Sequence, residues 1–298
     1  MPQDRASIAG SYTWRSGSIE RYFRRGFIAG VTDLDYSETI GVAADAILLP
    51  PDGTTLSFGG LLALDSVERF AKVQGFDTLN FVQDISIGST AELRLGLNLV
   101  DEDNTQDPLI EPTVALVLSK NVNVLENTYL QYSFAVDAVF EEEGGRPWSV
   151  GTTFKAYNTS IKNNTLALRV DYANGEDGND LPVQLTLGEN NGLRGYESRF
   201  FAGRQRVRIN LESRYRPGWK VSVLDIGLVS FFDAGWAVAR NDTSPTIRRS
   251  VGVGLRLGSN ALLGSRVIRM DVAFPLDAPQ NTSSDPTFSV AVGQVFRF

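Results

Sequence analysis

The last twelve residues, TFSVAVGQVFRF from Thr287 to Phe298, constrain the fold more than any other stretch of the chain. In an extended strand, successive side chains point to opposite faces. Phe288, Val290, Val292, Phe296 and Phe298 then share one face, with Gln294 as its single polar member. Thr287, Ser289, Ala291, Gly293, Val295 and Arg297 share the other. One face is apolar and the other small or polar. The same period of two recurs upstream. Leu93, Leu95, Leu97 and Leu99 stand opposite Glu92, Arg94 and Asn98. Leu130, Tyr132, Phe134, Val136 and Phe140 stand opposite Gln131, Ser133 and Asp137. Trp148 to Ala156 and Leu166 to Tyr172 repeat the pattern, with Arg169 and Asp171 on the polar face of the second.

No apolar run is long enough for a spanning helix, yet 42% of residues are hydrophobic and 28 are glycine. A transmembrane barrel has this composition, because only half of each strand meets lipid. An arginine turned into lipid at mid-membrane costs about 2–4 kcal/mol, so Arg169 and Asp171 belong in a lumen. A chain that ends on Phe, with another Phe two residues earlier, resembles the terminal sorting signal of bacterial outer-membrane barrels. Phe296 and Phe298 are therefore expected to act as a C-terminal assembly signal, and outer-membrane lipid and lipopolysaccharide are expected as partners of the barrel as a whole. A soluble all-β sandwich or a lipocalin-like barrel shares the alternation, but about 300 residues of hairpins is long for one such domain. The absence of His removes the usual general base and the commonest metal ligand. The charge of -7 argues against nucleic acid as a partner. The absence of Cys is compatible with an oxidising periplasmic route. The expectation is a non-enzyme without cofactor or metal.

The C-terminal half divides cleanly into strands at Gln205–Tyr215, Leu224–Ala237, Ile247–Leu257, Val267–Leu276 and Thr287–Phe298. With Phe298 periplasmic, Arg216–Val223 and Gly258–Arg266 become periplasmic turns. Asn174–Arg204, Val238–Thr246 and Asp277–Pro286 become external loops, and so do Asp101–Glu111 and Glu141–Pro147. The longest connection falls outside, as is usual in such barrels. Further upstream, Ala6–Arg15, Ile19–Val31, Gly41–Leu49, Leu56–Leu64, Val67–Gln74, Leu79–Ile87 and Pro112–Ser119 read as strands. The total is about sixteen, within a range of twelve to sixteen. No repeat or low-complexity linker marks a second domain, so residues 1–298 read as one antiparallel transmembrane β-barrel. MPQDRASIAG lacks the apolar core of a signal peptide, so the expectation is that the natural start lies upstream or that the chain is shortened.

Three weaker features have ordinary explanations. Asp101–Asp107 opens like a calcium loop, but Gln106 and Pro112 stand where Gly and Glu are required. Asn158-Thr159-Ser160 matches a glycosylation pattern with little meaning in a bacterial protein. Trp148 and Trp236, near the external ends of their strands, and Trp219, in a periplasmic turn, suit interfacial girdles or plain packing.

Candidate function sits around the longest loop, NNGLRGYESRFFA from Asn190 to Ala202. On the strand after it, Val207, Ile209, Leu211 and Tyr215 face out, and Arg208, Asn210, Glu212 and Arg214 face in. On the next strand Leu224, Ile226, Leu228, Phe232 and Trp236 face out. That leaves Asp233 inside, flanked by Phe231 and Gly235. A loop carrying Arg194 can fold back to meet Asp233 and Glu212, and an Arg–carboxylate pair in a partly dehydrated lumen can be bidentate. Gly195 allows close approach to the wall, and Tyr196 adds an aromatic contact with a polar tip. The other reading makes Arg194 a surface-loop arginine and Asp233 one more solvated charge.

The ordered set Leu193-Arg194-Gly195-Tyr196, Asn210-Leu211-Glu212-Ser213-Arg214 and Phe232-Asp233-Ala234-Gly235, followed by the terminal Phe, resembles the BamA/TamA-type surface antigen superfamily, which includes the two-partner secretion transporters. The resemblance spans Asn190 to Phe298. It implies sixteen strands, five of them after the loop, and a loop tip held inside the barrel by Arg194, Gly195 and Tyr196 against Asp233, with Glu212 as second choice. It also implies insertion or secretion of client proteins with periplasmic assembly factors as partners. The periplasmic modules that receive clients in that family are not recognisable here. The alternatives are a passive pore and a membrane anchor for an absent N-terminal domain. An outer-membrane hydrolase lacks the His for a Ser-His-Asp site.

Overall fold

Consecutive amphipathic segments joined by short connections pair most readily with their neighbours in sequence. The computed structural model, which describes residues 3–36, 53–102, 108–140, 147–176, 185–238, 245–259, 267–277 and 285–298, shows that outcome throughout. Thirteen strands form one antiparallel sheet, each bonded to the next. They are β1 (Gln3–Gly17), β2 (Arg21–Tyr36), β3 (Gly53–Gln74), β4 (Val82–Glu102), β5 (Leu109–Leu125), β6 (Thr128–Val139) and β7 (Trp148–Asn158). There follow β8 (Asn164–Glu176), β9 (Gln205–Val221), β10 (Leu224–Val238), β11 (Arg248–Gly258), β12 (Val267–Pro275) and β13 (Thr287–Val292). The order places the connections after β1, β3, β5, β7, β9 and β11 at the end of the sheet where β13 finishes. We call this the turn end. The connection that carries Arg194 leaves from the opposite, loop end.

The alternation separates the two faces as expected. Leu211, Tyr215, Leu228 and Val253 are exposed on one, whereas Arg208, Asn210, Glu212, Arg214, Asp233 and Asp271 are buried on the other. One face of the sheet is apolar and open and the other ionic and covered, the arrangement that strands between lipid and water require.

Segmentation differs from expectation in three places. Leu56–Leu64 and Val67–Gln74 are one strand, β3, and Leu79–Ile87 and Ala91–Val100 lie on one strand, β4. Asp65-Ser66 and Gly88-Ser89-Thr90 look like turns in sequence. In the structure they flank a bulge, where pairing jumps from Val67–Gly88 to Arg69–Ile87. The extra residue bends the ribbon without reversing it. Gly88 has φ +156°, and a side chain there would meet the Ser66 carbonyl. Gly41–Leu49 lies outside the described residues, so the described strands number thirteen. Secondly, β9 continues through Arg216–Val221, so Trp219 is an exposed strand residue rather than part of a turn. The proline and glycine in that stretch, Pro217 and Gly218, are absorbed by a bulge against β10 between Ile226 and Leu228.

The third difference concerns the C terminus. β13 stops at Val292, and Gly293, at φ +97°, turns the chain away. Phe288, Val290 and Val292 stay on the exposed face, but Phe296 is buried on the ionic one. Three groups on other elements hold the turn. Arg256 Nε donates to Gln294 Oε1 at 3.1 Å, Arg214 Nη2 to the Phe296 carbonyl at 3.1 Å, and the Phe298 amide to Asp77 Oδ1 at 3.0 Å. The rings of Phe296 and Phe298 pack against Tyr157. Strand alternation therefore assigned these two phenylalanines to the wrong face. Its period ends where the strand does.

Candidate functional site

The segment from Leu185 to Arg204 returns across the ionic face of β9 to β12. Its two arms are tied to each other by paired Leu187 and Phe201 backbone bonds, both 2.9 Å, and to β10 by the Arg204 amide on the Val238 carbonyl at 2.8 Å. Glu189–Asn191 forms a 3-10 turn that ends on Gly192, in the left-handed region at φ +91°. Two strand side chains seize the carbonyls this turn presents. Arg208 Nη1 donates to Asn191, and Asn210 Nδ2 to Gly192 at 2.6 Å. Leu187, Leu193 and Tyr196 form an apolar seat with Phe200, Phe201 and Ala237. Gly235 of β10 leaves room for Leu187.

These contacts deliver Arg194 to the wall with its side chain 1% exposed. Asp233 receives it twice, from Nε at 2.7 Å and Nη2 at 2.9 Å. The Arg194 amide adds a bond to the same carboxylate at 3.3 Å. Nη1 lies 2.8 Å from Glu212 Oε1 and 3.5 Å from Asp271 Oδ2. The Glu212 contact lies off the N–H direction, since Oε1 has no aligned donor, so it is a charge contact rather than a hydrogen bond. The guanidinium plane rests 3.4 Å from the centre of the Phe231 ring. A planar fork, two parallel bonds and an aromatic floor together suit arginine and not lysine.

Behind this contact the charges continue. Asn210 Nδ2 also donates to Asp233 Oδ1 at 2.7 Å. Asp271 is held by Arg256 Nη1 at 2.6 Å and approached by Arg269 at 3.2 Å. Glu212 Oε2 accepts from Arg214 Nε at 2.8 Å. Gly195 has φ +89°, and a side chain there would press on Ser250, Ala273 and Pro275. The Tyr196 hydroxyl donates to the Arg249 carbonyl at 2.9 Å, and burial pushes its phenol up from the usual value.

All five residues singled out for the loop contact, Arg194, Gly195, Tyr196, Asp233 and Glu212, meet at this one place. Phe296 and Phe298 lie apart from it, at the turn end. Sequence reasoning passed over Asp271, the third carboxylate at Arg194. Its signal was present: Asp271 and Arg269 interrupt an otherwise apolar strand on its inner phase. It also missed Asn210 as a holder of loop carbonyls, a role that strand position alone does not reveal.

Comparison with known proteins places this geometry in a family. No curated protein matches the chain. The structure resembles CdiB from Acinetobacter baumannii, with a TM-score of 0.52 at 14% identity, over 96% of this chain and 50% of that one. It also resembles CdiB from Escherichia coli, with a TM-score of 0.54 at 13% identity, over 96% of this chain and 52% of that one. The chain thus spans about half the length of both, and the likeness is one of fold. The model of the Omp85 superfamily domain matches residues 131–296, more than half of the chain, from within β6 through β13 and across every contact of Arg194. On that match, and with its loop seated by the motif that first suggested the resemblance, the chain belongs to the Omp85 superfamily.

Proposed function

We propose that this protein is a closed barrel of the bacterial outer membrane that inserts or translocates client proteins, with residues 185–204 folded into its lumen and locked there by Arg194. The observation that carries the reading is the burial of Arg194 against Asp233, Glu212 and Asp271. Such a site is costly to build, because each charge leaves water, and removing one partner leaves the others uncompensated. A passive conduit has no use for it. A barrel whose loop must hold one position while a polypeptide passes or docks does. Five strands, β9 to β13, follow the loop, the number the resemblance implies. In this reading the turn end faces the periplasm and its assembly factors. The loop end faces lipopolysaccharide. The work is binding and positioning, without covalent chemistry.

The test is reconstitution in liposomes with an unfolded outer-membrane barrel protein as probe client. The protein should speed insertion or passage of the client relative to empty vesicles, and Arg194→Ala should abolish most of that gain. Steady conductance indifferent to the client, with no acceleration, would show a passive pore instead. The assembly role of Phe296 and Phe298 is tested separately. Phe298→Ala should lower membrane insertion in cells while leaving detergent refolding largely intact, and equal losses in both would reduce Phe298 to a packing contact.

A further inference from the structure

β3 and β4 outrun their neighbours. Pairing with β2 ends at Ser66, and pairing with β5 begins at Gly88. The Val67 amide still bonds the Glu20 carbonyl, and beyond it residues 69–87 find ladder partners only in each other and leave the sheet as a two-stranded ribbon at the turn end. A free ribbon tip would be wet. This one has Ala71, Val73, Phe76, Leu79 and Ile87 buried, Phe76 completely. The buried phase of β4 switches from Glu92 to Ile87 across Gly88, so the ribbon presents a different face beyond its bulge.

The groups that bury it belong to distant strands. Phe76 stacks on Tyr157 of β7, with ring centres 4.6 Å apart, and meets Tyr129 of β6 edge-on at 5.3 Å. Phe298 lies 5.4 Å from the same ring. Leu79 reaches β10 and β11, where Gly227 and Gly258 leave space for it. The tip thus crosses from β3 to β11. Side chains hold it there. Arg214 donates to the Phe76 carbonyl, Arg216 to the Leu79 carbonyl at 3.4 Å, and the Phe298 amide to Asp77. The tip has no backbone ladder to the strands that cover it, so it can leave without unravelling the sheet.

Arg214 also joins the tip to the loop site. Glu212 and Arg214 sit two residues apart on the inner phase of β9. One Glu212 oxygen lies 2.8 Å from Arg194, and the other accepts from Arg214 at 2.8 Å. A single buried carboxylate therefore stands between the arginine of the loop and the arginine that grips the Phe76 and Phe296 carbonyls.

We propose that the β3–β4 tip is a plug for the turn end of the barrel, latched by Arg214, and that Glu212 couples its release to withdrawal of Arg194. The proposal rests on the barrel reading above. Withdrawing Arg194 leaves Glu212 without one of the arginines that compensate it, and water drawn in to solvate it competes with Arg214 for the two carbonyls. Loosening one closure then loosens the other, through a contiguous network.

These 298 residues contain no cysteine, which makes a cross-link test clean. An ideal Cβ on Gly258 lies 3.5 Å from Leu79 Cβ, within the reach of a disulfide. The full chain carrying Leu79→Cys and Gly258→Cys is placed in planar bilayers, with insertion checked by circular dichroism in matching vesicles. The disulfide should form readily and hold conductance at its minimum, and reduction should raise open time roughly tenfold, as Phe76→Ala should without any cysteine. Arg194→Ala should slow disulfide formation and raise open time in the reduced protein, and adding Glu212→Gln should remove most of that Arg194 effect. A pair that does not cross-link in inserted protein, or conductance alike in oxidised, reduced and Phe76→Ala proteins, overturns the plug. Equal effects of Arg194→Ala with and without Glu212→Gln overturn the coupling. A protein that refuses to insert at all overturns the barrel reading, and the plug with it.

Discussion

The two ends of the sheet order carry the same alternation and put it to different use. From Ser7 to Glu20, on β1 and the turn after it, every residue is exposed, on both faces. On β9 and β10 the apolar face is open while the ionic face is shut, with Asn210, Glu212 and Asp233 fully buried. The difference lies in what covers each region. Residues 185–204 lie over β9 to β12, and the β3–β4 tip lies against β6 to β11. Among the described residues nothing comparable lies on β1. Its charges show the consequence. Arg15 is exposed over the Tyr22 ring, whereas one strand on, Arg24 of β2 already pairs with the buried Asp65 and Glu92. Strand phase decides which way a charge points. A docked segment decides whether that charge is solvated or committed to one partner.

Substitutions on the two sides should separate accordingly. The largest effect is expected at Arg194. Breaking a buried pair by removing one partner costs about 3–5 kcal/mol, enough to undock the loop. Hydrogen exchange at the Leu187 and Leu193 amides should then accelerate by about a hundredfold or more. Asp233→Ala should do much the same, and the double variant little worse than either alone. Arg194→Lys should recover only a minor part, because an ammonium cannot span Asp233 in two parallel bonds. Amides that stay protected in Arg194→Ala would mean that the apolar seat alone holds the loop. If the two single effects simply add, Glu212 or Asp271 is the principal partner and the pairing drawn here is wrong.

A middle effect is expected at Gly195. Alanine there must adopt φ +89° and push on Ser250 and Ala273, at a cost of about 1–3 kcal/mol. The same amides should show a smaller acceleration than in Arg194→Ala. No change would show that the loop tip has slack against the wall, contrary to the contacts drawn here.

The smallest effect belongs to the uncovered region. Arg15→Ala removes an exposed contact with the Tyr22 ring, and a cation–π contact at an exposed site contributes about 0.5–1 kcal/mol. Its unfolding midpoint in detergent should barely move, and raising the salt should change the wild type little more than the variant. A loss as large as that of Arg194→Ala would show that some further element covers this end of the sheet.

Much of the architecture was legible from residues alone. The apolar and ionic phases of β9 and β10 follow from alternation, and every residue assigned to them faces as expected. Arg194, Gly195 and Tyr196 could be matched to Asp233 because a motif order narrowed a long loop to one arginine and a strand to one carboxylate. The errors arose where local signals have two meanings. Gly88-Ser89-Thr90 suits a turn and also suits a strand opposite a bulge. Gly293 suits a strand interior and also suits a turn away from it. Which meaning holds depends on what lies opposite, and that is a property of the pairing rather than of the segment.

Residue order by itself determined the period, and with it the side of the sheet on which each charge stands, because backbone geometry forces neighbouring side chains apart whatever surrounds them. Tertiary structure decided which of those charges meet. Asp271 is 77 residues from Arg194 in the chain, and Phe76 is 138 from Arg214. No local pattern encodes such pairs. They form because a loop and a bent hairpin fold back onto the same face, where exclusion of water makes each buried charge require an opposite one and each buried carbonyl a donor.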